Sequence, residues 1–196
     1  MTGRIAASGN IQTLLKADGS RTDAPTYCYY RIFRSCSSLT TAPALPAMTL
    51  ANGCYANMFE SCGSLTAAPA LPATTLASNC YNNMFQGCTS LTAAPALPAM
   101  TLASSCYAGM LNSCTSLSAA PALPATTLAS SCYSWMFYNC TSLSSVEVSF
   151  TAWNPTNATA NWLKNVAAAG VFTCPAALPD TRGADYIPEG WTKADL

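Results

Sequence analysis

The chain has 196 residues, enough for one compact domain or a short repeat array, and 51% of them are apolar, so a core can be buried. Only 8% are charged and the formal net charge is zero, which removes the basic footprint that nucleic acids and anionic membrane surfaces require. There is no histidine, so Ser-His-Asp and Cys-His catalytic arrangements are excluded.

In chain order, residues 1–27 read as an N-terminal cap, with 9–15 (GNIQTLL) as its apolar element. The opening Met1-Thr2-Gly3-Arg4 leads into too short an apolar stretch for a secretory signal. No run approaches the roughly 18 residues needed to span a bilayer. Two settings fit: a piece of a longer exported protein, or a protein that needs no export, such as a component of a phage particle.

Residues 28–144 read as five 26-residue units. Cys28, Cys54, Cys80, Cys106 and Cys132 keep that step, as do Cys36, Cys62, Cys88, Cys114 and Cys140. Leu39, Leu65, Leu91, Leu117 and Leu143 follow it too. In the first half of a unit, Leu50, Cys54, Met58 and Cys62 recur at i+4, and no proline intervenes. A helical wheel gathers positions 50, 51, 54, 55, 58, 59 and 62, which barely change between units, on one half and the variable 52, 53, 56, 57, 60 and 61 on the other. This spacing predicts a helix, capped by Thr49, Thr75, Thr101 and Thr127 in successive units. The second half, such as Ser64 to Ala68, predicts a short strand ended by proline, which lacks the N–H a ladder needs.

One such unit cannot cover its own apolar side, so the units stack. Strands lie about 4.8 Å apart and helix axes about 8–10 Å apart, so the expected stack curves. The fold class expected is therefore an α/β repeat solenoid: a leucine-rich-repeat arc with short parallel strands on the concave side and helices on the convex side. Residues 145–196 read as a C-terminal cap with a strand at 145–150, a helix near 158–169 and a strand at 171–174. Between Cys36 and Leu143 the only charged residue is Glu60; the other charges lie toward the ends, where they oppose end-to-end association.

Met84-Phe85-Gln86-Gly87-Cys88-Thr89-Ser90-Leu91-Thr92 resembles the bacterial BspA-like leucine-rich repeats. The Ala68 to Tyr81 stretch (APALPATTLASNCY) is similar to a subtype common in surface proteins of gut bacteria, as are Asn161-Trp162-Leu163 and Ile187 to Thr192 near the end. The resemblance covers nearly the whole chain. It implies a leucine-rich-repeat fold and a role in adhesion or host-surface interaction, and no catalytic residue.

Eleven cysteines raise the question of metal or disulfides. Without C-x-x-C or histidine, no zinc site is expected. Matching cysteines on neighbouring helices would stand too far apart for a bridge, so Cys28, Cys36, Cys54, Cys62, Cys80, Cys88, Cys106, Cys114, Cys132 and Cys140 are expected as buried free thiols, and Cys174 also as free. The Tyr and Phe series read as core ladders. Trp135 and Tyr138 fall on the variable arc, where they form an exposed patch or lie under the C-terminal cap.

The function expected is a non-enzymatic adhesion module for a protein or glycan at a bacterial surface, with no cofactor. Candidate binding residues are Asn52, Asn57, Glu60, Asn82, Asn83, Gln86, Asn112, Trp135 and Tyr138, on the expected convex face. The alternative is a structural subunit of a phage appendage or filament, since an outer face nearly free of charge invites self-association. Homo-oligomers are compatible with both readings.

Overall fold

The computed structural model describes residues 5–14 and 23–196. The N-terminal residues form strand β1 (Ile5–Ala6), a 3-10 turn (Ile11–Leu14) and strand β2 (Asp23–Ala24). Then come β3 (Leu39–Thr41) and β4 (Thr49–Leu50). At the far end lie β5 (Ser145–Glu147), β6 (Gly170–Cys174) and β7 (Trp191–Asp195). All pairing is parallel: β1 with β3, β2 with β4, and β5, β6 and β7 in order. Between the ends the strand side thins to isolated bridges such as Thr41 with Ala67 and Thr49 with Thr75. The prolines at 69 and 72 explain the thinning, because each removes a donor from the ladder.

The expected helices are absent: no α-helix occurs among the described residues. The cysteine-bearing half of each unit is instead a ribbon of consecutive tight turns. In residues 53–61, the N–H groups of Cys54, Ala56, Met58, Glu60 and Cys62 donate to the carbonyls three residues earlier. Those of Gly53, Tyr55, Asn57, Phe59 and Ser61 leave the unit and donate to Ser78, Cys80, Asn82, Met84 and Gln86 of the next coil, at 2.7–3.0 Å. The even-numbered carbonyls are thereby filled from the preceding coil and the odd-numbered ones from within, so the ribbon satisfies its own backbone.

Left-handed φ at every fourth residue makes this geometry. Gly53, Asn57 and Ser61 sit at 60°, 57° and 61°, and Asn79, Asn83 and Gly87 at 58°, 51° and 73°. An α-helix needs φ near −63° throughout, so these residues stop it. The ribbon recurs at 27–35, 53–61, 79–87, 105–113, 131–139 and 157–165. The last lies where a helix was expected near 158–169. The expected helix caps are also misplaced: Thr49 belongs to β4, and Thr75 bridges to it.

With no helices, the ribbon side is not wider by a helix diameter, because backbone hydrogen bonds join its neighbouring coils. Aromatic ladders run along the stack. Tyr29, Tyr55, Tyr81, Tyr107 and Tyr133 stack with ring centroids 5.3–6.0 Å apart and planes within 9°. Phe33, Phe59 and Phe85 do the same at 5.5 and 5.6 Å.

The core runs the length of the stack. Cysteine and methionine point inward from the ribbon, as in Cys54, Met58 and Cys62, and meet Leu65, Leu71 and Ala73 from the proline-rich side. The same positions are buried in the following units, as in Cys80, Met84, Cys88, Leu91, Leu97 and Ala99. Trp162 closes the C-terminal end, fully buried, with its indole N–H on the Tyr186 carbonyl at 3.0 Å. The Asp185 carboxylate accepts the Asn161 N–H at 2.6 Å, taking the place that a carbonyl of a following coil would fill.

Candidate functional site

The two-in, two-out rhythm of the ribbon sets what each coil shows to solvent. Residues 54, 55, 58, 59 and 62 are buried in the core; of the residues between them, Ala56 and Asn57 stay covered while Glu60 and Ser61 reach solvent. All nine candidate residues therefore lie along the ribbon side, although on turns rather than on helices. Asn52 and Trp135 are exposed, Asn57 is buried and not on the surface as expected, and Glu60, Asn82, Asn83, Gln86, Asn112 and Tyr138 are half-buried.

Several are already engaged within the protein. Arg34 grips Glu60 through two bonds, Nε to Oε2 at 2.8 Å and Nη2 to Oε1 at 2.9 Å. Asn57 Nδ2 adds a third bond to Glu60 Oε2 at 2.8 Å. The Arg34 bond, aided by Asn57, holds the Glu60 carboxyl below the usual range against the opposing effect of burial. This group ties the first coil to the second, so Glu60 is occupied structurally. Asn83 Nδ2 donates to Asn82 Oδ1 at 2.8 Å, and Ser113 Oγ donates to Asn112 Oδ1 at 2.7 Å.

Trp135 is different. Its φ is 60° and its side chain reaches solvent, 43% exposed. The C-terminal cap does not cover it. Its ring lies 4.8 Å from that of Tyr138, tilted by 51°. The same place on other rungs holds Arg31, Asn57, Asn83, Gly109 and Asn161. Glycine and asparagine tolerate the left-handed region, while a bulky residue there costs roughly 1–2 kcal/mol.

The outer face also carries polar residues that helical-wheel reasoning passed over. Asn139, Asn161 and Asn165 continue the left-handed row, and Asn165 Nδ2 donates to Asn139 Oδ1 at 2.8 Å. The signal that finds them is Gly, Asn or Ser at every fourth residue, which a wheel does not test.

All eleven cysteines are free thiols. Cys28 and Cys36 are only half-buried, not buried as expected, because they lie in the first coil. Matching cysteines are not held apart by helices as expected, since hydrogen-bonded neighbours approach to about 4.8 Å, inside the range of a disulfide. The structure uses the second thiol of the second to fifth units as a donor instead. The Sγ atoms of Cys62, Cys88, Cys114 and Cys140 donate to the carbonyls of Phe33, Phe59, Phe85 and Leu111 at 3.0–3.2 Å. Burial pushes the thiols of Cys54, Cys80, Cys88 and Cys140 up to about 12 and those of Cys62 and Cys132 up to about 11. Neutral thiols at such values are poor nucleophiles and poor metal ligands.

Among the described residues, no three metal-binding side chains converge, and no helix is long and apolar enough to cross a membrane. On the proline side, a shallow apolar groove of about 450 Å³ is lined by Ala42, Pro43, Ala44, Leu45, Pro46, Pro69, Ala70 and Pro72. Compared with protein-family models, with curated proteins and with solved structures, the chain matches none.

Proposed function

We propose that this chain is a non-catalytic recognition module of the leucine-rich-repeat kind, in which a turn ribbon stands where other such repeats carry a helix. It would present the ribbon's outer face to a protein or glycan at a bacterial surface. The observation that carries the reading is the contrast between the two sides of one coil. Inward positions repeat nearly unchanged, as in Cys54, Cys80, Cys106 and Cys132, while outward ones run through Glu60, Gln86, Asn112, Tyr138 and Lys164. A scaffold held constant with a varied outer row is how a repeat protein builds a selective surface. The inert thiols and the lack of histidine favour binding over catalysis.

A second reading, a subunit of a filament or phage appendage, is favoured by the uncharged proline face. Met48 and Met100 are exposed near its prolines in sequence. Glycan and host-protein arrays probed with the whole chain test the first reading, together with light scattering on the purified protein. A monomer that captures a ligand supports recognition. An ordered oligomer that captures nothing at high concentration contradicts it and favours assembly.

A further inference from the structure

Trp135 and Tyr138 replace polar residues at two adjacent outward positions of a single rung. Elsewhere Trp135's row holds Arg31, Asn57, Asn83, Gly109 and Asn161. The indole occupies a left-handed backbone position that asparagine or glycine fits better, and it is directed to solvent, not to the core. A strained, exposed aromatic residue that contributes nothing to the core points to use at the surface.

Resting on the recognition reading, we propose that the Trp135–Tyr138 pair is a stacking platform for an uncharged saccharide chain of the β-linked glucose type. The flat C–H face of such a sugar stacks on an indole, and its equatorial hydroxyls meet neutral amides at the ring's edge. The surroundings supply those amides. Asn112 lies one rung below Tyr138, and Asn139 borders the pair, bonded by Asn165. Asn83 leans across Gly109, where a Cβ would run into its Oδ1, so an amide lies over the glycine one rung below Trp135.

The only charge on the adjoining rungs is Lys164, one coil above Tyr138. A protein partner fits less well. A stable protein interface buries about 800 Å² per side, and two half-covered rings among amides supply a small part of that.

The test uses the whole chain, with Trp135→Asn and Tyr138→Gln variants, which restore residue types used on other rungs. Cellohexaose, laminarihexaose and chitohexaose are titrated by calorimetry and indole fluorescence, and thermal unfolding is followed in parallel. The proposal expects at least one oligomer to bind and to perturb indole emission, with binding retained in molar salt. Affinity should fall by about tenfold or more in Trp135→Asn, the scale of one stacked ring. The melting temperature of that variant should rise, since asparagine relieves the left-handed backbone. Equal binding by variant and parent, a lowered melting temperature in Trp135→Asn, or binding abolished by salt would each overturn the platform.

If no oligomer binds but an arrayed protein does, and Trp135→Asn loses it, the saccharide class is overturned and the recognition reading stands. If nothing binds at all, both are overturned.

Discussion

Cys88 shows how one side chain serves the stack: its thiol is buried and donates to the Phe59 carbonyl at 3.2 Å. Burial, the largest effect, pushes it up to about 12, and the neighbouring Cys62 adds to the shift. A thiol whose folded value lies above its unfolded one binds a proton more tightly when folded. Its stabilisation is therefore complete below the unfolded value, near 9, and drains away as pH rises toward 12. Each such thiol costs about 1.4 kcal/mol per pH unit within that window. With Cys54, Cys80 and Cys140 behaving alike, the reduced protein should lose melting temperature steeply above about pH 9 and hold it from neutral pH up to that point. Thermal scans in reducing buffer across that range check this; a flat profile to pH 11 would show that the thiols are not buried as a ladder. The inward direction of these cysteines was legible in the sequence, because apolar filler positions repeat without change. Their distance from one another was not, because it depended on the width assigned to the element that carries them.

At the scale of the element, an i+4 apolar spacing is ambiguous over a nine-residue segment. A period of four drifts only about 40° per step on a helical wheel, so Cys54, Met58 and Cys62 stay on one side in either geometry. The residues that decide are those between them. Gly53, Asn57, Ser61, Asn79, Asn83 and Gly87 are poor helix formers placed at every fourth position, where left-handed φ is needed. Ser105, at φ 53°, offers a test with a sign. Its N–H donates to Ser130 and its carbonyl accepts from Ala108, so both backbone bonds survive a change of side chain. In the ribbon, Ser105→Gly should hold or raise stability, and Ser105→Val should lower it by roughly 1–2 kcal/mol. A helix would instead penalise glycine by about 0.5–1 kcal/mol. Urea midpoints of the two variants distinguish the cases. Short strands were readable at the ends of the stack, but the one expected from Ser64 to Ala68 is reduced to a bridge at Ala67, because the paired prolines interrupt its ladder. So was the variable outer row, but its continuation through Asn161 and Asn165 was hidden by reading that segment as a helix.

At the scale of the whole molecule, stability comes from junctions between coils more than from any coil alone. Each ribbon sends every second N–H to the next, from Tyr27 to Asn52 at the first junction through Asn139 to Lys164 at the last. Tyr and Phe ladders stack above them, and Trp162 ends both. Stacking and caps follow from the repeat and from the placement of charge; the hydrogen-bonded spacing of the ribbon side could only come from the backbone. The central claim is this cross-coil pairing, and scalar couplings across hydrogen bonds in a labelled sample read it directly. Couplings should connect the Tyr55 amide nitrogen to the Cys80 carbonyl carbon and the Phe59 nitrogen to that of Met84, whereas couplings from these amides to carbonyls four residues earlier would restore the helix and contradict the account.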